Sequence, residues 1–302
     1  MSEPKPVILC FGEILWDFLP AGLFPGGAPF NAAYHLHRHG ADVKLVSAVG
    51  RDLLGDELLR RIKAWGLSTD TIALHQGLPT GYVRAELSAN GDASYDITTS
   101  VAWDQIATDQ DSLGPAMSAR ALVFGSLAQR SSFNRAALDR LLATLPAGAE
   151  RVFDVNLRPP HDDLSLVREL AAKATVLKLN AAEAARLVDH SDESAGREEN
   201  DARELVRRFH TGTVCITAGA RGAGLLRGGA WHWEPGREVT VADTVGAGDA
   251  FLASLLSGLV AGRLPDKECL TRATRLGEWV AAHRGATPDY DETLPALASL
   301  DS

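Results

Sequence analysis

The sequence predicts an α/β fold: a doubly wound, mostly parallel sheet with helices on both faces and a small β-sheet set apart from it. Three observations predict it. Short apolar runs that stop abruptly at a glycine or a polar residue alternate with longer stretches of helical periodicity. Residues 80–97 break that rhythm with two alternating runs around Asn90-Gly91, the strongest short-range signal for a β-hairpin. Finally, 302 residues, 45% apolar and 23% charged, suit one large globular domain with at most a small appendage.

Taken in order, the first apolar run, 7–11, ends at Gly12-Glu13, and the second, 43–49, ends at Gly50-Arg51-Asp52. The run 121–124 ends at Gly125-Ser126, 152–155 leads into Asn156 and Arg158, 176–179 ends at Asn180, and 214–217 ends near Gly219. Between them, helical segments fall at 30–39, 56–65, 133–145, 164–174, 182–188 and 202–210. Ligands of such sheets bind outside the carboxyl ends of the strands, so the polar residues closing these runs are candidate site residues by position. The hairpin at 80–97 implies a small projecting sheet, a lid or a dimerisation patch. Residues 225–241 read as short antiparallel strands with turns at Gly228-Gly229 and Pro235-Gly236. Residues 190–201, charged and poor in apolar side chains, read as a solvated loop.

A net charge of −9 without a basic run argues against a nucleic-acid partner. It also means that an anionic ligand must be met by backbone amides, a metal ion or a few local cations. Cys10, Cys215 and Cys269 are far apart and odd in number, which points to buried free thiols rather than disulfides or a zinc site. The opening residues show no signal-peptide pattern and no apolar run approaches a membrane span, so the expected setting is cytoplasmic with no membrane partner.

The richest stretch is Asp243-Thr-Val-Gly-Ala-Gly-Asp249. It opens a helix whose residues Phe251, Leu252, Leu255, Leu256 and Leu259 give one apolar face. Gly246, Ala247 and Gly248 let main-chain N–H groups approach a ligand at a helix N-terminus, which favours an anion. Asp249 beside such a cradle suits a proton acceptor next to phosphate; an ordinary capped helix start is the alternative. Gly26-Gly27-Ala28-Pro29-Phe30-Asn31 opens another helix with paired glycines and an amide that donates and accepts. Asp17 offers a carboxylate to sugar hydroxyls or simply closes a surface turn.

Thr217-Ala-Gly219-Ala-Arg-Gly222 is neither a Walker A loop, since no Gly-Lys pair occurs in the chain, nor a Rossmann fingerprint. A nucleotide-covering loop and a plain tight turn both remain open for it. Asn180-x-x-Glu183 puts two oxygen-bearing side chains on one face of a first helical turn, which suits hydrated Mg²⁺ or, equally, a capping box. Arg158 is either a fixed cation for a phosphoryl group or a surface salt bridge. The histidines, including His35, His37, His39 and His161, show no zinc-type spacing.

In their order along the chain these motifs, together with Gly50-x-Asp52-x-x-Gly55, resemble the ribokinase-like (PfkB-type) carbohydrate kinases over nearly the whole length. The resemblance implies a single domain over 1–302, with a β lid formed by about 12–25 and 80–101. It implies transfer of the ATP γ-phosphoryl group to a sugar hydroxyl, with Asp249 as base and the amides of Gly246, Ala247 and Gly248 as the anion hole. Asp17, Gly26, Gly27 and Asn31 would hold the sugar, and Arg158 would lie near the transferred phosphate. Thr217, Gly219 and Gly222 would line the nucleotide, with Ala282 and His283 on its adenine side. Asn180 and Glu183 would organise Mg²⁺ through water, and Asp243 would lie near a monovalent cation such as K⁺.

Two departures bear on the sugar: the link between Asp17 and Gly26 is short, and Phe30 stands where many members carry a small residue. Gly12-Glu-Ile-Leu-Trp-Asp17 and Ser94-Tyr-Asp-Ile-x-x-x-x-Ala102-Trp-Asp104 look most like the fructokinase branch. Tyr95 and Trp103 are then lid contacts to the sugar or lid core. The expectation is an ATP-dependent fructokinase that dimerises through its lid. The alternatives are a 2-keto-3-deoxygluconate kinase, with Arg84 or Arg158 meeting the substrate carboxylate, a nucleoside kinase, or a non-catalytic sugar sensor.

Overall fold

The computed structural model describes residues 5–19, 22–87, 93–291 and 294. The strands are β1 (Val7–Phe11), β2 (Leu15–Leu19), β3 (Gly22–Gly26), β4 (Asp42–Gly50), β5 (Ile72–His75), β6 (Tyr82–Leu87), β7 (Ala93–Ile97), β8 (Ala121–Gly125), β9 (Glu150–Asp154), β10 (Val176–Asn180), β11 (Thr213–Thr217), β12 (Gly222–Arg227) and β13 (Ala230–Pro235). The helices are α1 (Ala28–Arg38), α2 (Leu53–Ala64), α3 (Gln110–Ala116), α4 (Ser132–Thr144), α5 (Leu164–Ala171), α6 (Ala181–Leu187), α7 (Glu198–Phe209), α8 (Ala247–Ala261) and α9 (Asp266–Ala281).

The main sheet runs β13-β12-β11-β10-β9-β8-β1-β4-β5, parallel from β11 to β5, with β12 and β13 as an antiparallel edge. Alternation along each parallel strand feeds two cores. Leu9 and Phe11 face a core shared with α4, α5 and α7, where Phe124 stacks on Phe153 at 5.2 Å. Ile8 and Cys10 face the opposite core, shared with α1, α2 and α8. The strand order reverses at β1, so the crevice beyond its carboxyl end is the topological switch point where ligands of such sheets sit.

The small sheet has the order β3-β2-β6-β7, with β2 and β6 parallel and the outer pairs antiparallel. Its strands lie at 15–19, 22–26, 82–87 and 93–97, and the expected turn at Asn90-Gly91 lies outside the described residues. Trp16 fastens it to α2: its ring Nε1 donates to the Leu54 carbonyl at 2.9 Å, and the Arg61 guanidinium covers the ring at 4.8 Å. Asp17, next along β2, therefore points to the other face.

Several expectations change. Residues 190–201 are not all loop, because α7 begins at Glu198, where Glu198, Glu199 and Asp201 complement the positive end of the helix. The edge hairpin turns at Gly228-Gly229, both at positive φ (56° and 84°), but 236–241 adds no strand. The expected single apolar face of α8 is in fact burial all round from Asp249 to Gly258, because α1 and α9 flank this helix. The helix α9 carries no clean apolar period because it buries Arg272 and Arg275, the latter paired with Glu234 of β13. Phe30 packs in the second core with its ring 6.0 Å from Trp65. Among the described residues no helix is long and apolar enough to cross a membrane, and all three cysteines are free and buried.

Candidate active site

The lead-in to α8 takes a left-handed turn at Gly246 (φ 77°), where a Cβ would also collide with Ala286, so only glycine fits. No side chain caps this helix. The amides of Gly248 and Asp249 sit in the first turn, which has no carbonyl partners inside the helix, and they remain available to an anion.

Asp249 is 8% exposed, and its Oδ2 accepts a 2.8 Å hydrogen bond from Nδ2 of Asn31 on α1. Asn31 Oδ1, buried like the rest of the side chain, has no partner among the described residues. The start of α1 is pressed against the loop after β1. A Cβ on Gly27, whose φ is 109°, would strike the Glu13 carbonyl, and the Ala28 amide donates to Glu13 Oε1 at 3.3 Å. Gly26 passes directly against the Asp17 carboxylate, which is why it carries no side chain. Of the sequence candidates here, Asn31 touches Asp249 directly and Asp17 feels its charge, while Gly26 packs on Asp17 and Gly27 on the Glu13 backbone.

The electrostatics is a crowd of carboxylates sharing few cations. Burial pushes Asp249 up to about 6; Asp154 adds to the rise, while Lys178, the Asn31 hydrogen bond and Arg158 oppose it. Burial likewise lifts Asp17 to about 7, with Arg158 opposing and Asp249 and Asp243 reinforcing. Glu13, 3% exposed, is raised to about 7 by burial against its backbone hydrogen bonds and Arg158. Arg158 is itself exposed beyond β9, and its charge bears on all three.

Beneath the cradle, Lys178 of β10 holds both oxygens of Asp154 of β9, at 3.0 and 3.2 Å. Sequence reasoning reached Glu13 only by its position at the end of a run and passed over Asp154 and Lys178. The available signal was a charge inside or closing an otherwise apolar run, as in Val176-Leu-Lys178-Leu179.

On the other side of α8, β10 and β11 bring Asn180 and Thr217 into register at their carboxyl ends. Gly219 (φ 57°) opens a single 3₁₀ turn, closed by the Ala218 amide on the Gly222 carbonyl at 2.8 Å, and Arg221 there pairs with Glu193 and Glu198. Ala282 ends α9, and the His283 ring lies 4.2 Å from that of Trp279 while its Nδ1 bonds the Trp279 carbonyl at 2.6 Å. Asp243 accepts from the amides of Val245 (3.0 Å) and Gly285 (3.3 Å), tying the lead-in of α8 to the segment after α9.

Asn180 and Glu183 form a reciprocal capping box, and the second Glu183 oxygen accepts from the Leu157 amide at 2.8 Å. Both carboxylate oxygens are therefore engaged, and among the described residues no group of three or more His, Cys, Asp or Glu is placed to hold a metal ion. Such a donor set does not fit an ion caged by protein. It fits one carried on phosphates with its own water shell, the usual habit of Mg²⁺.

Two candidates do not join this site on the same terms. Trp103 is fully buried, with the Arg130 guanidinium 4.0 Å over its ring and Gly81 against its Nε1, which gives it a packing role beneath the small sheet. Tyr95 pairs with Ala85 in the backbone ladder of that sheet, and its side chain lies outside the described residues.

Residues 21–293 match the family described as pfkB family carbohydrate kinase. The chain belongs to that family. It is an ATP-dependent carbohydrate kinase with the ribokinase-like fold. Among known proteins it is similar to the fructokinase of Klebsiella pneumoniae, 29% identical over 271 residues, with 86% of each chain covered. It is similar to the same degree, 29% over 292 residues, to the aminoimidazole riboside kinase of Salmonella typhimurium, covering 91% of this kinase and 89% of that one. A solved fructokinase double mutant from Vibrio cholerae, with fructose, ADP and a potassium ion bound, has the same fold at a TM-score of 0.82 and 21% identity, covering 99% of both chains.

Proposed function

We propose that this kinase transfers the ATP γ-phosphoryl group to a hydroxyl of fructose, with Asp249 as the proton acceptor. The observation that carries this reading is the buried Asp249 carboxylate, oriented by Asn31 at the uncapped N-terminus of α8. The sugar hydroxyl gives its proton to Asp249 as its oxygen bonds the γ-phosphorus and the bond to the departing ADP breaks. The amides of Gly246 and Gly248 meet the charge on the phosphoryl oxygens, joined by that of Ala247 once it leaves the Thr244 carbonyl, its partner at 3.4 Å. Arg158 adds a cation from the solvent side. Asp17 and the free Oδ1 of Asn31 are the sugar contacts, with Gly26 and Gly27 setting their approach. Thr217, Gly219 and Gly222, with Ala282 and His283, border the nucleotide. Mg²⁺ would supply neutralisation of the phosphate charge, and Asn180 and Glu183 would order its waters. K⁺ near Asp243 would stiffen the lead-in of α8.

A riboside acceptor is the second reading, favoured by the equal 29% identity to the aminoimidazole riboside kinase. Dimerisation through the small sheet is supported by Phe18, an exposed aromatic that contacts Tyr82 at 5.2 Å. The deciding assay couples ADP release to a panel of fructose, other hexoses, 2-keto-3-deoxygluconate and ribosides. Fructose should give the highest kcat/KM, and Asp249→Asn should lower it about 10²–10⁴-fold. Wild-type turnover by that variant would remove Asp249 as the base, and a preferred riboside would replace fructose.

A further inference from the structure

The pair Lys178–Asp154 is buried on both sides, at 7% and 3% exposure, in the floor under the first turn of α8. A Cβ built on Gly248 would lie 3.0 Å from Lys178 Nζ, so the ammonium abuts the residue next to Asp249. Its grip on both Asp154 oxygens and its burial keep it from reaching out to a substrate. Such a pair is weak evidence for stability, since apolar residues of the same size commonly do as well. What an apolar pair cannot supply is a fixed field at the neighbouring carboxylate.

We propose that Lys178 is a positioning residue for catalysis, a buried counter-charge that holds Asp249 ionised as a base, with Asp154 fixing the ammonium and opposing its effect. The inference rests on Asp249 being the base. The other groups that bear on Asp249 are Asn31 of α1, Arg158 beyond β9, Glu13 beyond β1 and Asp17 of β2. Those that bear on Lys178 are Asp154, Asp249, Glu183 of α6 and Cys215 of β11, and burial keeps that thiol protonated.

The signs are opposite for the two partners. Lys178→Met leaves Asp154 and Asp249 as two buried carboxylates with no cation between them, and a proton is then held more tightly. Asp154→Asn removes a like charge and leaves the ammonium to Asp249, which then releases its proton more readily.

The test is a carbon-13 NMR titration of the aspartate carboxyls in the full-length protein, with the Asp249 signal assigned by its loss in Asp249→Asn. The Asp249 midpoint should rise by about one pH unit in Lys178→Met and fall by a similar amount in Asp154→Asn. The acid limb of kcat/KM should move with it in each variant. Midpoints that stay at the wild-type value, or that move the same way in both, would overturn the proposal. Asp154→Asn preserves size and keeps one oxygen to accept from the ammonium, so its downward shift decides alone if Lys178→Met does not fold. The titration is independent of turnover, so a wild-type rate in Asp249→Asn removes the base assignment, whereas unmoved midpoints remove only the role of Lys178.

Discussion

Asn31 donates to Asp249 across 2.8 Å, joining the first turn of α1 to the first turn of α8 over 218 residues of chain. The bond favours the ionised carboxylate and fixes which oxygen faces the reacting hydroxyl, while Asn31 Oδ1 is left for the sugar. Asn31→Ala removes both services. With the hydrogen bond gone the Asp249 carboxyl holds its proton to higher pH, so the acid limb of kcat/KM moves upward. Loss of a hydrogen bond to a charged group is worth about 1.5–3 kcal/mol, or roughly 10- to 150-fold in kcat/KM. A pH–rate profile of the variant checks this, and an unmoved limb would show that the bond only spaces the two helices.

Stability should respond to pH through two buried groups of opposite sign. Glu13 rises from its ordinary 4.5 to about 7 in the fold. Its contribution is fully present below the unfolded value and is lost as pH rises through about 7. His35 goes the other way, lowered by burial to about 3 while its two ring nitrogens bond the Tyr290 hydroxyl and the Ala286 carbonyl. Its contribution is present above 6.5 and is lost as pH falls toward about 3. Relative to wild type, Glu13→Gln should therefore gain stability at pH 8 over pH 5, and His35→Gln should gain at pH 5 over pH 8. Thermal melts of the three proteins at both values measure the slopes, with differences of about 2–4 °C for each kcal/mol. Parallel slopes for the two variants would contradict the assigned charge states.

Much of the site was legible because its parts sit at strand ends or helix starts, where motif and position coincide. Asp249, Asn31 and Asp17 came from Gly-Ala-Gly-Asp, the paired glycines and the end of Gly12-Glu-Ile-Leu-Trp-Asp17, and the fold brings them together through α1, α8 and β2. Glu13 was legible only by its position at a strand end, and Asp154 and Lys178 were not legible at all. Each sits in or next to a strand whose apolar neighbours announce only burial, and their role appears once β9, β10 and α8 are packed together. The fold shows the same division: the parallel strands and the edge hairpin follow from local pattern. The helix α9 hides because its apolar face is interrupted by two buried arginines, Arg272 paired with Glu268 one turn earlier and Arg275 paired across to Glu234 of β13.

Glu183 separates a structural role from a catalytic one. Its carboxylate takes the amides of Asn180 and Leu157, both at 2.8 Å, and is only 6% exposed. In Glu183→Gln one amide donor faces the new NH₂ group and loses its acceptor, which costs about 1–3 kcal/mol of stability. If the same carboxylate also orders the water shell of Mg²⁺, the metal concentration for half-maximal ADP release should rise about tenfold or more. Asn180→Ala, which removes the N-cap for about 0.5–2 kcal/mol, is the comparison, because it loosens the helix start and keeps the charge. A Mg²⁺ requirement that rises far more in Glu183→Gln than in Asn180→Ala assigns the charge to the metal. Equal requirements, with both proteins merely less stable, leave Asn180 and Glu183 as a helix cap.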